Sequence, residues 1–496
     1  MSSSDAASAP QPHSLEFGPL LRKVVRLGTP AVFENLLWST MMLADAIMLA
    51  RLPDNELYLA ATGLTTVVLW RSETLAGASQ IGTGAFVARR WGEENFAEAG
   101  RALAHAAMVA ACIGVVVAIV LFFFRETIFV ALGGEGRVVP AAASYFGIVL
   151  VALPARLVQL HLLAGMRAAG DTRTPLLLMA TMVGLNVILN WLLIFGNFGL
   201  PRLEMNGAAV ATGASYIVTA AFAFHLLRRG LKPRRLVAQN VDAPVSLEAD
   251  ASPEDYETHF IPGGKHDGVL RFQPGGFRLW LGSATKRIFK VTGPSYLEEL
   301  AYTIGILVYI KLIAMFGTTV LAAHNVVLRI ESLSFTLGLG VMIATSTLVG
   351  QALGAKDVAL AKRVFGLNAT IASILMGITG FLLVSFPDLF LDMFQATGGV
   401  RDVGRAIMYI IGAEQVLMAV TMAFAGGLKG AGYTLAPLVT QFSGVFIIRI
   451  CLGVVLAWPC GLGVYGIYIA TGVDWLARSA ILYLFFRSGR WITTDV

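Results

Sequence analysis

Charge is scarce in this sequence. Only 14% of its 496 residues are Asp, Glu, Lys or Arg, whereas 56% are hydrophobic and the mean hydropathy is +0.72. A soluble domain carries about a quarter charged residues. This chain cannot cover its apolar surface with polar groups, which excludes a water-soluble fold and leaves lipid as the solvent. Cysteine is scarcer still. Cys112, Cys451 and Cys460 have no ligand spacing and lie in or beside apolar segments, where they read as small core residues. His105, His161, His225 and His324 are scattered, so no metal centre is expected. There is no Gly-rich phosphate loop ending in Lys-Ser/Thr, which excludes ATP as an energy source and a nucleotide as partner. No nucleophile or acid–base cluster gathers at one membrane face, so a polytopic membrane enzyme is not expected and no cofactor is called for. No apolar run precedes Val24, so residues 1–26 read as a polar tail, not a cleaved signal peptide.

Long apolar runs are abundant. A spanning helix needs about 20 mostly apolar residues, and twelve such segments can be counted. They lie near 27–50, 57–88, 98–124, 138–166, 174–197 and 205–228, then 291–316, 319–352, 361–386, 403–427, 434–458 and 464–487. A barrel would show short alternating segments instead. The second six repeat the first. GMRAAGDTRTP at 165–175 returns as GLKGAGYTLAP at 427–437, GAAVATG at 207–213 as GIYIATG at 466–472, and VVLWRSE at 67–73 as VVLRIE at 326–331. A duplicated hydrophobic bundle is the pattern of secondary transporters, in which two lobes rock about a site between them. The expected fold is therefore an all-α polytopic membrane protein of twelve transmembrane helices in two pseudo-symmetric six-helix lobes, 27–228 and 291–487.

The net charge of +6 reads as topology and gives no reason to expect a nucleic acid. Of the 37 Lys and Arg, 25 fall in the tails and the loops on their side, 6 in the opposite loops and 6 within the spans. Positive charge stays cytoplasmic, so both tails, 1–26 and 488–496, are expected inside. The segment 229–290 starts basic, then turns acidic, with no Lys or Arg from 236 to 264, and reads as a mostly disordered tether between lobes. Its end, 275–290, reads as a short interfacial helix with Trp280 at the headgroups.

Pro30, Asp45 with Arg51-Leu52, Gly-Asp-Thr-Arg-Thr-Pro at 170–175, Asn186, Asn190 and Ile194-Phe195-Gly196 occur in order in the first half. Gly293-Pro294, Ala322-Ala323-His324, Leu348-Val349-Gly350-Gln351 and Arg449-Ile450 follow in the second. With twelve spans and the duplication, these pieces resemble the multidrug and toxic compound extrusion family over nearly the whole chain, from about Leu27 to Arg487. The resemblance implies two lobes related by an axis along the membrane normal. It also implies export of amphipathic, often cationic compounds driven by inward flow of Na⁺ or H⁺. The position of Asp45 belongs to the ion- or proton-linked site of the family's N-terminal lobe. One prokaryotic branch carries Asp where this chain has Asn190. The second-lobe acids of the sodium-coupled branch and its eukaryotic relatives align with Tyr302 and Met418, with Glu414 one turn before the latter.

An ionisable residue within a span is costly and marks a functional site. Asn186 and Asn190 are four apart and share a helix face. With Asp45 at similar depth they form a candidate site for Na⁺, or for a proton held among amides. Glu34, eleven residues before Asp45, returns to nearly the same face and is a candidate for substrate or proton handling. Glu298 follows Pro294 as Glu34 follows Pro30, so the repeat places an acid at equivalent points in both lobes. Glu299 is turned towards the lobe interface, and Glu414 lies mid-span beside Gln415. Arg71 with Glu73, and Arg329 with Glu331, recur in the two lobes. Residues two apart cannot face each other, so each needs a partner on a neighbouring helix, as a structural ion pair or a gate. Arg449 falls opposite Asn190 in the repeat and reads as a lobe-stabilising partner of carbonyls or of an acid such as Glu414. The expected function is antiport at the cytoplasmic membrane, with a small amphipathic substrate and membrane lipid as partners. A lipid-linked sugar flippase or a narrow metabolite exporter is the alternative.

Overall fold

The computed structural model describes residues 17–232, 269–272 and 283–494. Apolar segments in lipid must satisfy their own backbone, and helices do so within one segment. The first lobe is built from α1 (Phe17–Leu49), α2 (Asn55–Ala76), α3 (Ser79–Gly92), α4 (Phe96–Ala131), α5 (Val138–Ala168), α6 (Arg173–Phe195) and α7 (Glu204–Arg229). The second holds α8 (Ser283–Ala314), α9 (Thr318–Gly354), α10 (Val358–Ser385), the short α11 (Pro387–Met393), α12 (Gly398–Gly430), α13 (Leu435–Phe442), a π-helical stretch Ser443–Leu452, α14 (Gly453–Ala457) and α15 (Gly463–Arg487). Ten stretches among the described residues are long and apolar enough to cross a membrane. The broken pair α2–α3 and the long α8 complete twelve crossings.

Four expectations need correction. The segment 57–88 is two helices, because the chain turns at Gly77-Ala78. A Cβ on Gly77 would lie 2.6 Å from the Glu73 carbonyl oxygen, and the Ala76 carbonyl, freed by the break, accepts from the Tyr296 hydroxyl of the other lobe at 3.3 Å. Helix α1 begins ten residues before position 27, since Leu20 and Val24 find a buried place against the second lobe. Of the interfacial helix expected at 275–290, the described part from Ser283 onward is continuous with the seventh span, while 275–282 with Trp280, and the acidic 236–264, lie outside the described residues. Finally, all three cysteines are exposed. In lipid an apolar side chain loses nothing by facing outward, so hydrophobicity alone does not separate core from surface.

The lobes pack together at the end that carries Phe17 and Thr494. There Leu20, Val24 and Leu27 of α1 join a cluster with α9, α10 and α12, and Phe86 of α3 joins Ile288 and Val291 of α8. At the opposite end the large apolar clusters are each confined to one lobe. The seam is reciprocal. A Cβ on Gly92 would lie 2.1 Å from the Gln351 carbonyl oxygen, and one on Gly354 would lie 2.0 Å from that of Arg89. Gly92 and Gly354, like Arg89 and Gln351, stand 262 residues apart, so each lobe presents the same surface to the other. That is how a two-fold axis between the repeats must look, and only glycine lets the backbones meet so closely.

Candidate functional site

In the first lobe, Asp45 of α1 meets α6 in the interior. The Asn190 amide donates to the Asp45 carboxylate at 2.5 Å and to the Asn186 side-chain oxygen at 3.0 Å, and Asn186 donates to the Thr212 hydroxyl of α7 at 3.2 Å. Tyr145 of α5 hydrogen-bonds Thr212 from the other side. Asp45, Asn186 and Asn190 are all buried, and the Asn190 side-chain oxygen has no protein partner. The structure thus unites the three residues that the sequence grouped. Nearby, Glu73 pairs with Arg156 at 3.1 Å, and the Arg156 guanidinium lies beside both the Trp38 and Tyr216 rings, 4.5 and 4.9 Å from their centroids.

The second lobe holds more charge. Thr471 donates to Glu414 at 2.9 Å, Gln415 hydrogen-bonds Glu331, and Ser334 donates to the Gln415 oxygen at 2.6 Å. Arg449 sits in the π-helical stretch, an irregularity often found at functional positions. It lies 5.5 Å from the centroids of both Tyr309 and Trp475. Its ion-pair partner is Asp474, at 2.8 Å, and not Glu414 as the sequence suggested; Asp474 also accepts from Arg478 at 2.5 Å. Geometry explains the preference. Asp474 faces the wide π turn at Gly444, where a Cβ would lie 2.2 Å from its carboxylate, while Glu414 is taken up by Thr471.

The remaining candidates are in ion pairs or at the surface. Glu34 pairs with Arg167 at 2.7 Å and Glu298 with Lys429 at 2.8 Å. Arg167 and Lys429 are equivalent positions of the repeated GMRAAG and GLKGAG, so a duplicated acid meets a duplicated base. Arg71 reaches across the seam to Glu299 at 3.9 Å and over the Tyr302 ring at 5.5 Å. The expectation that Arg71 and Glu73 find separate partners on other helices is met. In the second copy Glu331 likewise finds a partner on another helix, the Gln415 amide of α12, whereas Arg329 is exposed and pairs with no acid among the described residues. Arg156, Arg167, Lys429, Asp474 and Arg478 went unassigned in the sequence. Asp474 and Arg478 had a readable signal, namely charges four apart inside an apolar segment.

Counting the interior charges, Asp45, Glu331 and Glu414 lack an ion-pair partner among the described residues. In the second lobe Glu331, Glu414 and Asp474 face Arg449 and Arg478, leaving one negative charge. In the first, Asp45 adds one to the neutral Glu73–Arg156 pair.

Two internally repeated six-helix halves, packed at one end and carrying ionisable groups within each, define a multi-pass membrane transporter. The chain belongs to the MatE family, whose profile matches it twice, over residues 30–192 and 294–455, one copy per lobe. Among curated proteins, the probable multidrug resistance protein NorM of Thermotoga maritima is 26% identical over 488 residues, covering 95% of this chain and 94% of the relative. Multidrug resistance protein NorM of Burkholderia vietnamiensis is 24% identical over 469 residues, covering 92% and 91%. A crystal structure of MATE in the bent conformation superposes with a TM-score of 0.79 at 21% identity, covering 95% of this chain and 96% of that one. A transporter of the MOP superfamily from Pyrococcus furiosus, whose binding pocket is described as of reverse polarity, superposes at 0.78 and 20% identity, covering 98% and 100%.

Proposed function

We propose that this protein is a secondary antiporter of the cytoplasmic membrane that exports amphipathic, cationic drugs or metabolites in exchange for Na⁺ or H⁺. The observation that carries the reading is Asp45: a buried carboxylate held by an amide N–H and not by a cation, with the unpartnered Asn190 oxygen in the same cluster. An ionised carboxylate so placed costs several kcal/mol in the membrane. A proton or a small hard cation removes that cost, and neutral amide oxygens suit the cation. The Glu331–Glu414 region supports a second such position in the other lobe.

In this scheme the seam at the terminus-bearing end is closed and the opposite end is open. The Lys/Arg bias argues that the termini are cytoplasmic, which makes this the outward-facing state. An ion or proton neutralises Asp45 and favours parting of the seam. Cationic substrate then enters from inside, competes for the negative charge and returns the lobes outward. Each ligand must bind the two states unequally for this to move anything. Glu34 and Glu298, each paired with a base, serve the lobe ends in this scheme. The names of the NorM relatives support multidrug cargo. A lipid-linked sugar flippase or narrow metabolite exporter stands second, favoured by the likeness to a transporter of reversed pocket polarity.

The test is efflux of a fluorescent cationic dye from pump-deficient cells, wild type against Asp45→Asn, with and without sodium and with the proton gradient collapsed. Export by wild type that is lost in the variant is expected, and the ion dependence names the coupling ion. Undiminished export by a well-inserted Asp45→Asn protein removes Asp45 from the scheme.

A further inference from the structure

On the closed seam, α3, α4 and α5 of the first lobe and α8 of the second border a cavity of about 20 Å³, lined by Ser79, Thr83, His105, His161, Ile288 and Thr292 among others. His161 approaches the Leu157 carbonyl with Nδ1 at 2.8 Å. A carbonyl only accepts, so Nδ1 carries the hydrogen, and Nε2 accepts from the Ser79 hydroxyl at 2.7 Å. Thr83 spends its hydroxyl hydrogen on the Ser79 carbonyl at 3.1 Å. Both first-lobe hydroxyls therefore keep lone pairs but no free hydrogen. Across the seam, Thr292 is 1% exposed, and its hydroxyl has no protein partner. Gly82 admits it, since a Cβ there would lie 2.5 Å from Thr292 Oγ1.

We propose that this cavity is a binding site for one water molecule, which accepts from Thr292 and donates to Ser79 or Thr83, and so latches the two lobes. The volume fits a single water, which needs roughly 10–15 Å³ and two to four polar partners. The latch deepens the antiport reading and rests on it: the water bridges elements that must separate when the seam parts, so it stabilises the closed seam and no other state.

The test uses the full chain in nanodiscs, with the three native cysteines replaced and spin labels at Arg173 and Arg363 near the seam or at Arg137 and Asp402 at the opposite end. One bridging bond of ordinary strength corresponds to about a fivefold change in the ratio of parted to closed seam. Thr292→Val, and Ser79→Ala combined with Thr83→Val, are each expected to raise that ratio by about this factor, and Thr292→Ser to leave it unchanged. If Thr292 is merely a stranded hydroxyl, Thr292→Val removes its desolvation penalty and the ratio falls, which overturns the latch. A high-resolution map is expected to show a solvent peak within hydrogen-bond reach of Thr292 Oγ1; a direct bond from that hydroxyl to protein overturns the site. A wild-type seam that never parts under any ion or dye condition overturns the antiport reading and the latch with it. A seam that parts normally but ignores both variants overturns the latch alone.

Discussion

Where the first lobe has Asp45, counted from Pro30, the second has Tyr309, counted from Pro294. Where the first has Asn190, the second has Arg449, and Thr212 corresponds to Thr471. The same three points of one scaffold thus hold a carboxylate with an amide in one copy and a guanidinium near a tyrosine ring in the other. Asp474 then appears in the second lobe, where the first has Ser215, and satisfies the arginine. The first lobe keeps its own buried arginine elsewhere: Arg156 stacks on Tyr216, the equivalent of Trp475. Duplication has fixed the helix packing and the aromatic floor but not the sign of the charge on it. What survives in both halves is the balance of one negative charge without a cation. A conserved sum on divergent residues argues that each lobe's interior must be able to take one positive charge, whichever side chains provide for it.

The comparison can be broken most severely at Asp45. With the carboxylate gone, the first lobe's interior has no acid without a base among the described residues, and Asp45→Asn is expected to reduce dye export at least tenfold, to the level of empty vector, with normal membrane insertion by fractionation. Asp474→Asn attacks the other solution. It removes the one carboxylate in ion-pair contact with the buried Arg449 and Arg478, and loss of one partner of a buried pair costs about 3–5 kcal/mol. A large fall in thermal stability in detergent is expected, measured by fluorescence-detected chromatography; wild-type stability would mean that Arg449 finds another acid and that Glu414 deserved the assignment. Glu414→Gln is milder, because Glu331 remains to hold the second lobe's charge. Export is expected to fall about threefold, a cost of less than 1 kcal/mol on the scale of one hydrogen bond, and adding Glu331→Gln should deepen the loss. If the double variant exports as well as wild type, the two lobes are not equivalent in coupling and the shared charge balance is incidental.

The twelve crossings and their pairing were readable because length, apolar content and the repeat all point the same way. The Asp45–Asn186–Asn190 group was readable because helix period and depth fix two residues on one face and a third opposite them. The break at Gly77 was not, since the apolar run continues through it and the turn is decided by contact with Tyr296 on a helix more than 200 residues away. The partner of Arg449 was hidden for a related reason. A charge inside a span announces that it has a partner, but which neighbouring helix supplies it depends on packing, here on a π turn that no pattern of apolar residues encodes. The exposed cysteines are a third case, because lipid accepts the same side chains as the core.

The gentlest test concerns the pairs that the duplication kept intact. Glu34–Arg167 and Glu298–Lys429 occupy equivalent positions at nearly equal distances, 2.7 and 2.8 Å, and in each acid the second oxygen is buried without a partner. Both bases are only partly buried, at 15% and 16% side-chain exposure, so water relieves some of the penalty when either is lost. Arg167→Met and Lys429→Met are each expected to lower stability by about 1–2 kcal/mol, below the cost of a fully buried pair. If the pairs are symmetric fasteners of the two lobes, the two losses match. Unequal losses, or a loss of export without loss of stability in one variant alone, would show that the acid of that lobe handles substrate or protons. The symmetry of the two lobe ends would then be one of position only, as it already is for Asp45 and Tyr309.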